Sequence, residues 1–436
     1  MVMKHVFIFA FGLVFSSVVC AEGVSVSDVE VRQLWPWSGD IDIGFTITGG
    51  NTAVKFTAQY DGVEPFEIPE RELSGDFFDA APGRRHVRWN LKRAGLDGKT
   101  LFNLKITAQA DATDRTYLIL NLVDGSYRYA AAEPEGGWFS DPDNYRTKMV
   151  FRRIPAGTFT MGYSDALLDK LEFSGVKSDG KTYNYKTYNK AREMTLSSDY
   201  YMAVFKATVG QHLYVTSAVD GVAAKVSDKG AQYALGTYDE MRGKNDETDG
   251  IDWPHTKYDV ASGSVIAAYR HAVRNTFPGD WVIDLPTSAQ WVRAARADTP
   301  DYKVWDIRGE YFGDADPSTT MEDLISYANQ VGCWTENSEG LNDTVKKTLG
   351  RYAPNGWGFY DFNGGYFEWG IDYSGWYDTQ TDPVGKTTGA KRYRCGAYRA
   401  ATYICWMAPG YLQDYTSTVD CGYRLCIHLK SLFKGK

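Results

Sequence analysis

The stretch GWGFYDFNGGYFEW, residues 356–369, combines acidic side chains with glycines in one short segment. Asp361 and Glu368 stand at positions i and i+7, with Gly364, Gly365 and Tyr366 between them. Adjacent glycines let the backbone curl and turn carbonyl oxygens inward. Carboxylate and carbonyl oxygens at flexible angles suit Ca²⁺, which takes six to eight oxygen ligands. The residues alone thus allow a calcium loop, but they favour the alternative, a hairpin turn whose acids face solvent.

Three other short motifs surround this stretch, two before it and one after it. IPAGTFTMG occupies residues 154–162, LPTSAQW occupies residues 285–291, and GYR occupies residues 422–424. In this order and spacing, the four motifs resemble the formylglycine-generating enzyme family, also called the sulfatase-modifying-factor domain, over about residues 146–430. The resemblance implies an α+β fold, C-type-lectin-like, with much irregular structure.

The resemblance also implies two calcium sites. In the family, the central loop binds calcium through two side chains, here those of Asp361 and Glu368, and two carbonyls, here those of Gly364 and Tyr366. The second family site uses an Asn, the following carbonyl and an Asp fourteen residues on. Although the intervening sequence matches poorly, this spacing places the second site at Asn329, Gln330, Asp343 and Val345.

The catalytic positions of the family are altered in this chain. The family oxidises a substrate cysteine to formylglycine with O₂ and a Cu(I) ion held by two thiolates, and soft Cu(I) selects soft sulfur ligands. The first thiol position is Ala400 and the second is Cys405. The family's active-site serine, tryptophan and His-Arg pair are replaced by Ala397, Phe367 and Ala401-Thr402. These changes favour lost copper chemistry, and an active formylglycine-generating oxidase with a displaced thiol pair is the alternative.

The N-terminus predicts a secretory signal peptide over residues 1–21. Lys4 and His5 precede an apolar run over residues 6–19, which is too short to span a bilayer comfortably. The alternative, a lipoprotein anchor at Cys20, is disfavoured because Val19 is bulky for the position before a lipidated cysteine. No second apolar run reaches 18 residues, so the sequence predicts a secreted, periplasmic or extracellular protein without a membrane span.

The cysteines remaining after cleavage all lie in the last quarter of the chain. They are Cys333, Cys395, Cys405, Cys421 and Cys426. In an oxidising compartment most of them should pair, and an odd number leaves at least one free thiol. We expect Cys421 and Cys426 to be disulfide-bonded, with each other or with Cys395 or Cys405.

Residues 22–125 predict an immunoglobulin-like β-sandwich. Apolar and polar residues alternate over residues 41–47, 54–60, 87–91 and 102–108, as expected for half-buried strands. Turn signals such as Asp61-Gly62 and Pro82-Gly83 separate these runs. Residues 126–145, which show no periodicity, are predicted to be a linker, and residues 146–436 are predicted to be the second domain. There, Thr287 is expected to cap a helix, and another helix is expected over residues 262–275.

Charge and aromatic content suggest the class of partner. The formal net charge is −8 and no block of Lys or Arg occurs, which disfavours nucleic-acid binding. Tyr and Trp supply rigid contact area with a polar group, which suits a glycan or an extracellular protein or peptide. The alternative for these aromatic residues is core packing. The candidate ligand-binding residues are Tyr398, Tyr403, Trp406, Tyr411 and Tyr415.

Overall fold

The chain divides into two compact units. The computed structural model describes residues 23–34, 38–170, 172, 174–176, 180, 182–217, 233–243, 260–298, 326, 332–333, 349–373, 380–383, 392–396, 412–415 and 421–429. The first unit contains residues 1–114 and 275–280, and the second contains residues 115–274 and 281–436. The boundary therefore lies earlier than residue 125, where the sequence placed the end of the first domain.

The first unit is built from antiparallel strands. They are β1 (Ser25–Gln33), β2 (Ile41–Thr48), β3 (Ala53–Tyr60), β4 (Val63–Glu67), β5 (Leu73–Gly75), β6 (Gly83–Trp89) and β7 (Lys105–Asp111), with a 3-10 helix at Glu70–Glu72. One sheet has the order β1-β2-β6-β5 and the other has the order β4-β3-β7. The sequence prediction of an all-β first domain is thus confirmed.

The two sheets pack face to face through the side chains that the alternation predicted to point inward. Ile41, Ile43 and Phe45 of β2 are fully buried. The ring of Phe45 meets that of Phe56 on β3 edge-to-face, with 5.4 Å between centroids. Since successive side chains of a strand point to opposite faces, the polar residues between them face outward.

The second unit mixes helices and strands. Its helices are α1 (Asp165–Lys170), α2 (Lys186–Asn189), α3 (Val209–Ser217), α4 (Tyr238–Arg242), α5 (Val265–Val273) and α6 (Ser288–Arg296), with 3-10 helices at Trp138–Ser140 and Pro142–Tyr145. Its strands are β8 (Tyr117–Asn121), β9 (Tyr127–Ala130), β10 (Lys148–Ile154), β11 (Gly157–Met161), β12 (Ser174–Val176), β13 (Thr182–Asn184), β14 (Arg192–Leu196), β15 (Tyr200–Ala203), β16 (Val282–Asp284), β17 (Gly332–Cys333), β18 (Asn363–Gly364), β19 (Glu368–Tyr373), β20 (Arg392–Cys395), β21 (Leu412–Tyr415) and β22 (Cys426–His428).

A six-stranded sheet forms the centre of this unit, in the order β16-β22-β15-β10-β8-β9. The segment predicted to be a linker, residues 126–145, contributes β9 and both 3-10 helices. Tyr117 of β8 pairs with Ala130 of β9, and Trp138 is buried against the ring of Tyr117. The strand of this segment pairs with the directly preceding β8 in a hairpin, but four residues are too few for an alternating pattern to be recognised in the sequence.

Smaller sheets surround the central one. β11 pairs with β14, β12 with β13, and β17 with β18, while β19, β20 and β21 form a three-stranded sheet in that order. β17 and β18 are parallel, whereas β20 is antiparallel to both β19 and β21. The first strand of this sheet, β19, begins at Glu368 inside the glycine-rich stretch (residues 356–369), so the sheet fixes the position of Glu368.

The helix that begins in LPTSAQW lies in the core. Thr287 caps α6, and its hydroxyl accepts a hydrogen bond from Gln290 N while the Gln290 side chain accepts from Thr287 N. This reciprocal capping box satisfies two amides that a helix start leaves unpaired. All residues of α6 are buried, including Trp291. The other expected helix is α5, which is shorter than predicted. Within the described residues, no helix is long and apolar enough to cross a bilayer.

A buried ion-pair cluster ties two helices to the central sheet. Asp284 of β16 accepts two hydrogen bonds from Arg242 of α4, both at 2.9 Å, and one from Arg270 of α5 at 2.7 Å. Burial alone would raise the pKa of Asp284, but the two arginines outweigh that effect and lower it. Asp284 is therefore ionised at neutral pH, and its charge is compensated inside the protein.

We expect Asp284→Asn to destabilise the protein by about 3 kcal/mol or more, because it leaves buried guanidinium charge uncompensated. A carboxylate with a lowered folded pKa stabilises above its unfolded pKa, and that contribution is lost as the pH falls through the folded value. The deficit of Asp284→Asn should thus be constant near neutral pH and shrink once the pH falls below the ordinary Asp value of 3.8.

Urea denaturation from pH 7 downwards measures this deficit. The matched control is Asp141→Asn, since Asp141 pairs with Lys148 in a much more exposed position and should contribute little. Equal losses in the two variants would contradict the structural role assigned to Asp284.

Candidate functional site

The glycine-rich stretch is anchored at its start by Asn355. Its side-chain oxygen accepts hydrogen bonds from the amides of Trp357 and Phe359, both at 3.1 Å. Its amide nitrogen donates to the last turn of α6, at Ala294 O and Ala295 O. One side chain thereby shapes the turn and satisfies carbonyls at a helix end, which otherwise lack partners.

The centre of the site is the carboxylate of Glu368, which is fully buried. Its Oε1 accepts from the ammonium of Lys206 at 2.9 Å and from Arg424 Nη2 at 3.3 Å. Its Oε2 accepts from Arg424 Nε at 3.1 Å and from the indole of Trp291 at 2.8 Å. A carboxylate offers about four lone-pair positions, and protein donors occupy all of them here.

These contacts also set the charge state of the site. Burial alone would raise the pKa of Glu368, but the ion pairs with Arg424 and Lys206 outweigh it and hold the pKa below its usual range. Burial lowers the pKa of Lys206, and its pairing with Glu368 opposes that shift. Glu368 is therefore an ionised group whose charge is balanced by two buried cations.

Asp361, the other predicted calcium ligand, lies beside this cluster. Its backbone has a φ of 60°, in the left-handed region that Asp tolerates better than most residues. Its main-chain carbonyl accepts a hydrogen bond from Lys206, and its carboxylate accepts one from Gly350 N at 2.8 Å. Burial raises the pKa of Asp361. The structure thus joins Asp361 and Glu368 through the ammonium of Lys206.

Backbone hydrogen bonds hold the segment of Lys206 between the glycine-rich stretch, which forms the centre of the site and is called the central stretch below, and the GYR motif. Tyr360 N donates to Val204 O, and Ala207 N donates to Tyr423 O, each at 2.9 Å. A Cβ added at Gly422 would lie 3.6 Å from Lys206 Cδ and 3.3 Å from the carbonyl oxygen of Phe367. The approach to Phe367 O would be tight, whereas the distance to Lys206 Cδ would be an ordinary contact, so glycine at position 422 mainly allows the two backbones to lie close together.

Arg424 of the GYR motif binds the same region from the other side. It donates to Ala203 O and Tyr360 O, each at 2.8 Å. Its guanidinium lies 4.1 Å from the ring centroid of Phe362, where a cation is attracted to the aromatic face. Arg424 thus connects the end of β15, the central stretch and Glu368, as its planar fork of donors permits.

These residues do not fit a calcium ion bound by Glu368. Calcium needs carboxylate oxygens within 2.3–2.6 Å, and the four positions on Glu368 are filled by nitrogen donors. Among the described residues, no group of three or more His, Cys, Asp and Glu side chains could hold a metal ion. Gly364 and Tyr366, the predicted carbonyl ligands, lie in the stretch between Asp361 and Glu368 and are buried. The second predicted site, at Asn329, Gln330, Asp343 and Val345, lies outside the described residues.

The described thiols are separate from the copper positions. Ala400 and Cys405 lie outside the described residues, as does the side chain of Cys333. Cys395 and Cys426 are buried, free thiols, and Cys421 is buried. The described residues therefore show no disulfide between Cys421 and Cys426. In the central sheet, the backbone of Cys426 pairs with those of Met202 and Asp284. The backbone of Cys421 instead forms an isolated antiparallel β-bridge with Gly236. The two residues are thus fixed by different partners.

Burial decides the chemistry of two of these thiols. It raises the pKa of Cys395 and that of Cys426 well above the usual range. Nearby carboxylates add to the effect, Glu368 and Asp372 for Cys395, and Asp284 for Cys426. Since the thiolate is the form that binds metals and attacks electrophiles, both groups are inert thiols at neutral pH.

The predicted aromatic binding residues follow strand β20. Tyr398, Tyr403, Trp406 and Tyr411 lie outside the described residues, as does the side chain of Tyr415 on β21. Cys395 at the end of β20 pairs with Leu412 at the start of β21. The two ends of segment 396–411 are therefore held side by side.

Asn189, at the end of α2, binds the backbone of Leu412, the first residue of β21. Its side chain accepts from Leu412 N at 2.9 Å and donates to Leu412 O at 3.0 Å. The side-chain amide, which is buried, thus binds both polar groups of one residue. Sequence analysis missed Asn189, because nothing local marks its distant partner. It also missed Lys206, although a single lysine within YYMAVFKATV, residues 200–209, is a signal for a buried and paired cation.

Asn189→Ala should loosen the start of β21, because two buried backbone groups of Leu412 lose their partner. We expect a loss of about 2 kcal/mol and faster amide hydrogen exchange at residues 412–415. Exchange followed by mass spectrometry measures the local effect, and thermal unfolding measures the global one. Asn184→Ala is the control, since Asn184 accepts an exposed hydrogen bond from Lys186 N and its loss should leave exchange at residues 412–415 unchanged. Unchanged exchange in Asn189→Ala would disprove the role.

Comparisons with known proteins agree with the motifs. Residues 138–427 match the sulfatase-modifying factor enzyme 1-like domain, and no curated protein matches the chain. The chain is similar to PvdO from Pseudomonas aeruginosa, with 15% identity and a TM-score of 0.41 over 64% of this chain and 94% of that one. It is similar to Treponema denticola variable protein 1, with 16% identity and a TM-score of 0.40 over 64% of this chain and 95% of that one. It is also similar to CarF, with 15% identity and a TM-score of 0.32 over 63% of this chain and 97% of that one.

Because these TM-scores lie below 0.5, the assignment comes from the family match. That match covers more than half of the chain and contains IPAGTFTMG, LPTSAQW, the central stretch and GYR. The second unit has the α+β fold that the resemblance implied, preceded by an all-β unit. The chain therefore belongs to the family of sulfatase-modifying factor enzyme 1-like domains.

Proposed function

We propose that this chain is a secreted binding module for a glycan or an extracellular protein, built on a family fold that has lost its copper chemistry. The proposal rests on the side chains at the two positions where the family places its copper-binding thiols. Ala400 stands at the first thiol position, and an alanine side chain cannot ligate Cu(I), which requires soft sulfur. Cys405 alone would be a single thiol at that place.

The described thiols support the proposal, because they make poor replacements for the missing ligand. Cys395 and Cys426 are fully buried, and their pKa values are raised well above the usual range. Copper binding would require deprotonating a thiol in an environment that disfavours the anion. The pair Cys421 and Cys426, which has the family spacing, is therefore a weak candidate for a displaced oxidase site.

The binding half of the proposal concerns segment 396–411. Its ends are fixed by the pair of Cys395 and Leu412 and by the hydrogen bonds from Asn189. Fixed flanking residues lower the entropy that a segment between them loses when it binds a partner. The segment contains Tyr398, Tyr403, Trp406 and Tyr411, and Tyr and Trp are enriched among residues that dominate binding energy.

The first prediction is that the purified protein makes no formylglycine. The assay combines protein, Cu(I), O₂ and a peptide carrying Cys-x-Pro-x-Arg, with mass spectrometry as the readout. We expect no conversion, because Ala400 supplies no copper ligand. Conversion of thiol to aldehyde that disappears in Cys405→Ser would overturn the proposal and restore the oxidase. Conversion that disappears in Cys426→Ser would identify a displaced site, and would equally overturn it.

The second prediction concerns the aromatic residues. Trp406→Ala and Tyr411→Ala should each weaken binding to a ligand found on a glycan or extracellular-protein array, by about 2 kcal/mol for a central anchor. The proposal expects an unchanged melting temperature, because a side chain that serves binding contributes little to the stability of the free protein. The control is Trp291→Ala, which removes a buried core side chain and should lower the melting temperature. If Trp406→Ala and Tyr411→Ala behave like that control and no ligand is found, these aromatic residues belong to the core.

A further inference from the structure

The side chain of Lys206 occupies a position that bears on the metal requirement of the family fold. We propose that its ammonium is a built-in cation, which replaces a calcium ion at the loop of Asp361 and Glu368. The loop would then keep its shape without any metal. This inference concerns stability alone, and it holds or fails independently of the proposed binding function.

The ammonium of Lys206 contacts both acidic residues of the loop. Lys206 Nζ donates to the main-chain carbonyl of Asp361 and to Glu368 Oε1 at 2.9 Å. One positive group thus binds an oxygen of each residue expected to supply a side-chain ligand. An ammonium offers three donors and no acceptor, so toward oxygen atoms it plays the part that a small cation would play.

The coordination of Glu368 carries the second step. Arg424 supplies two of the four hydrogen bonds to its carboxylate and Trp291 supplies one. Lys206 supplies the fourth. An ion that approached Glu368 would have to displace at least one of these buried donors. The displaced group would then lack a partner at a fully buried position, at a cost of several kcal/mol if it is charged.

The charge balance carries the third step. Lys206 and Arg424 contribute two positive charges, and Glu368 and Asp361 contribute two potential negative charges. The cluster is therefore neutral when all four groups are ionised. A calcium ion would add two positive charges to a buried site that already contains two cations, and uncompensated buried charge is strongly unfavourable. Calcium and Lys206 are alternatives at this loop, and the sequence supplies Lys206.

The surroundings of Lys206 carry the fourth step, because they hold it in place. Its ammonium lies 5.3 Å from the ring centroid of Tyr233, within reach of a cation–π attraction. Tyr233 in turn packs over Gly365, where an added Cβ would lie 3.0 Å from the Tyr233 ring. Lys206 is fully buried. A lysine enclosed on these sides has little freedom to leave, so the compensation of Glu368 is permanent.

The test is thermal unfolding of the full mature chain with excess calcium chloride and with a calcium chelator. Asp343→Ala serves as the background, because it removes an acid of the second predicted calcium site. We expect the midpoints in calcium and in chelator to agree within about 1 °C, since an ion that does not bind the native state cannot stabilise it. A calcium-dependent rise in midpoint that persists in Asp343→Ala would overturn the proposal.

A substitution tests the lysine itself. Lys206→Ala should lower the midpoint by roughly 6 °C or more, because it leaves a buried carboxylate with one cation fewer. Lys148→Ala is the matched control, since Lys148 pairs with Asp141 and Asp143 in a more exposed position. A loss in Lys206→Ala no greater than that of the control would overturn the proposal. If Lys206→Ala does not fold, the chelator comparison in Asp343→Ala still decides it.

Discussion

The second unit depends on one buried negative charge. Burying an ionised carboxylate costs several kcal/mol unless charges and hydrogen bonds compensate it. Glu368 meets that requirement with donors from three distant parts of the chain: Trp291 in α6, Lys206 after β15, and Arg424 before β22. Lys206 and Arg424 lie next to strands of the central sheet, and Trp291 lies in a buried helix. The need to compensate this charge therefore fixes how the glycine-rich stretch sits against the rest of the unit.

A cation supplied by the chain differs physically from one supplied by solution. A bound ion stabilises a protein in proportion to the logarithm of its concentration relative to its dissociation constant. A lysine contributes the same charge at any ion concentration, although burying it costs desolvation and side-chain entropy. In this protein that cost is offset by Glu368, the carbonyl of Asp361 and the ring of Tyr233. The acidic residues of this loop are thus compensated by groups that the chain itself supplies.

The same separation of fold from chemistry applies to the thiols. Cys395 pairs across the sheet with Glu368, and Cys426 pairs with Asp284. Both thiols thus lie near buried carboxylates, which disfavour a second negative charge. These cysteines act as small apolar side chains of the core. In the described part of the second unit, thiols thus contribute packing beside carboxylates whose charge is compensated within the protein.

The sequence by itself determined the repeating and local features. Alternation predicted which side chains of β2 are buried, and Thr287 predicted the start of α6, because both signals depend on neighbours in the chain. The four motifs identified the family, and Ala400 pointed to lost copper chemistry. Only the tertiary structure decided the partners of Glu368, the strand at Tyr127–Ala130 and the link from Asn189 to Leu412. The strand is too short for alternation to mark it, although it pairs with its neighbour β8. The contacts of Glu368 and Asn189 join residues far apart in the chain, and local patterns contain no information about which distant groups will meet.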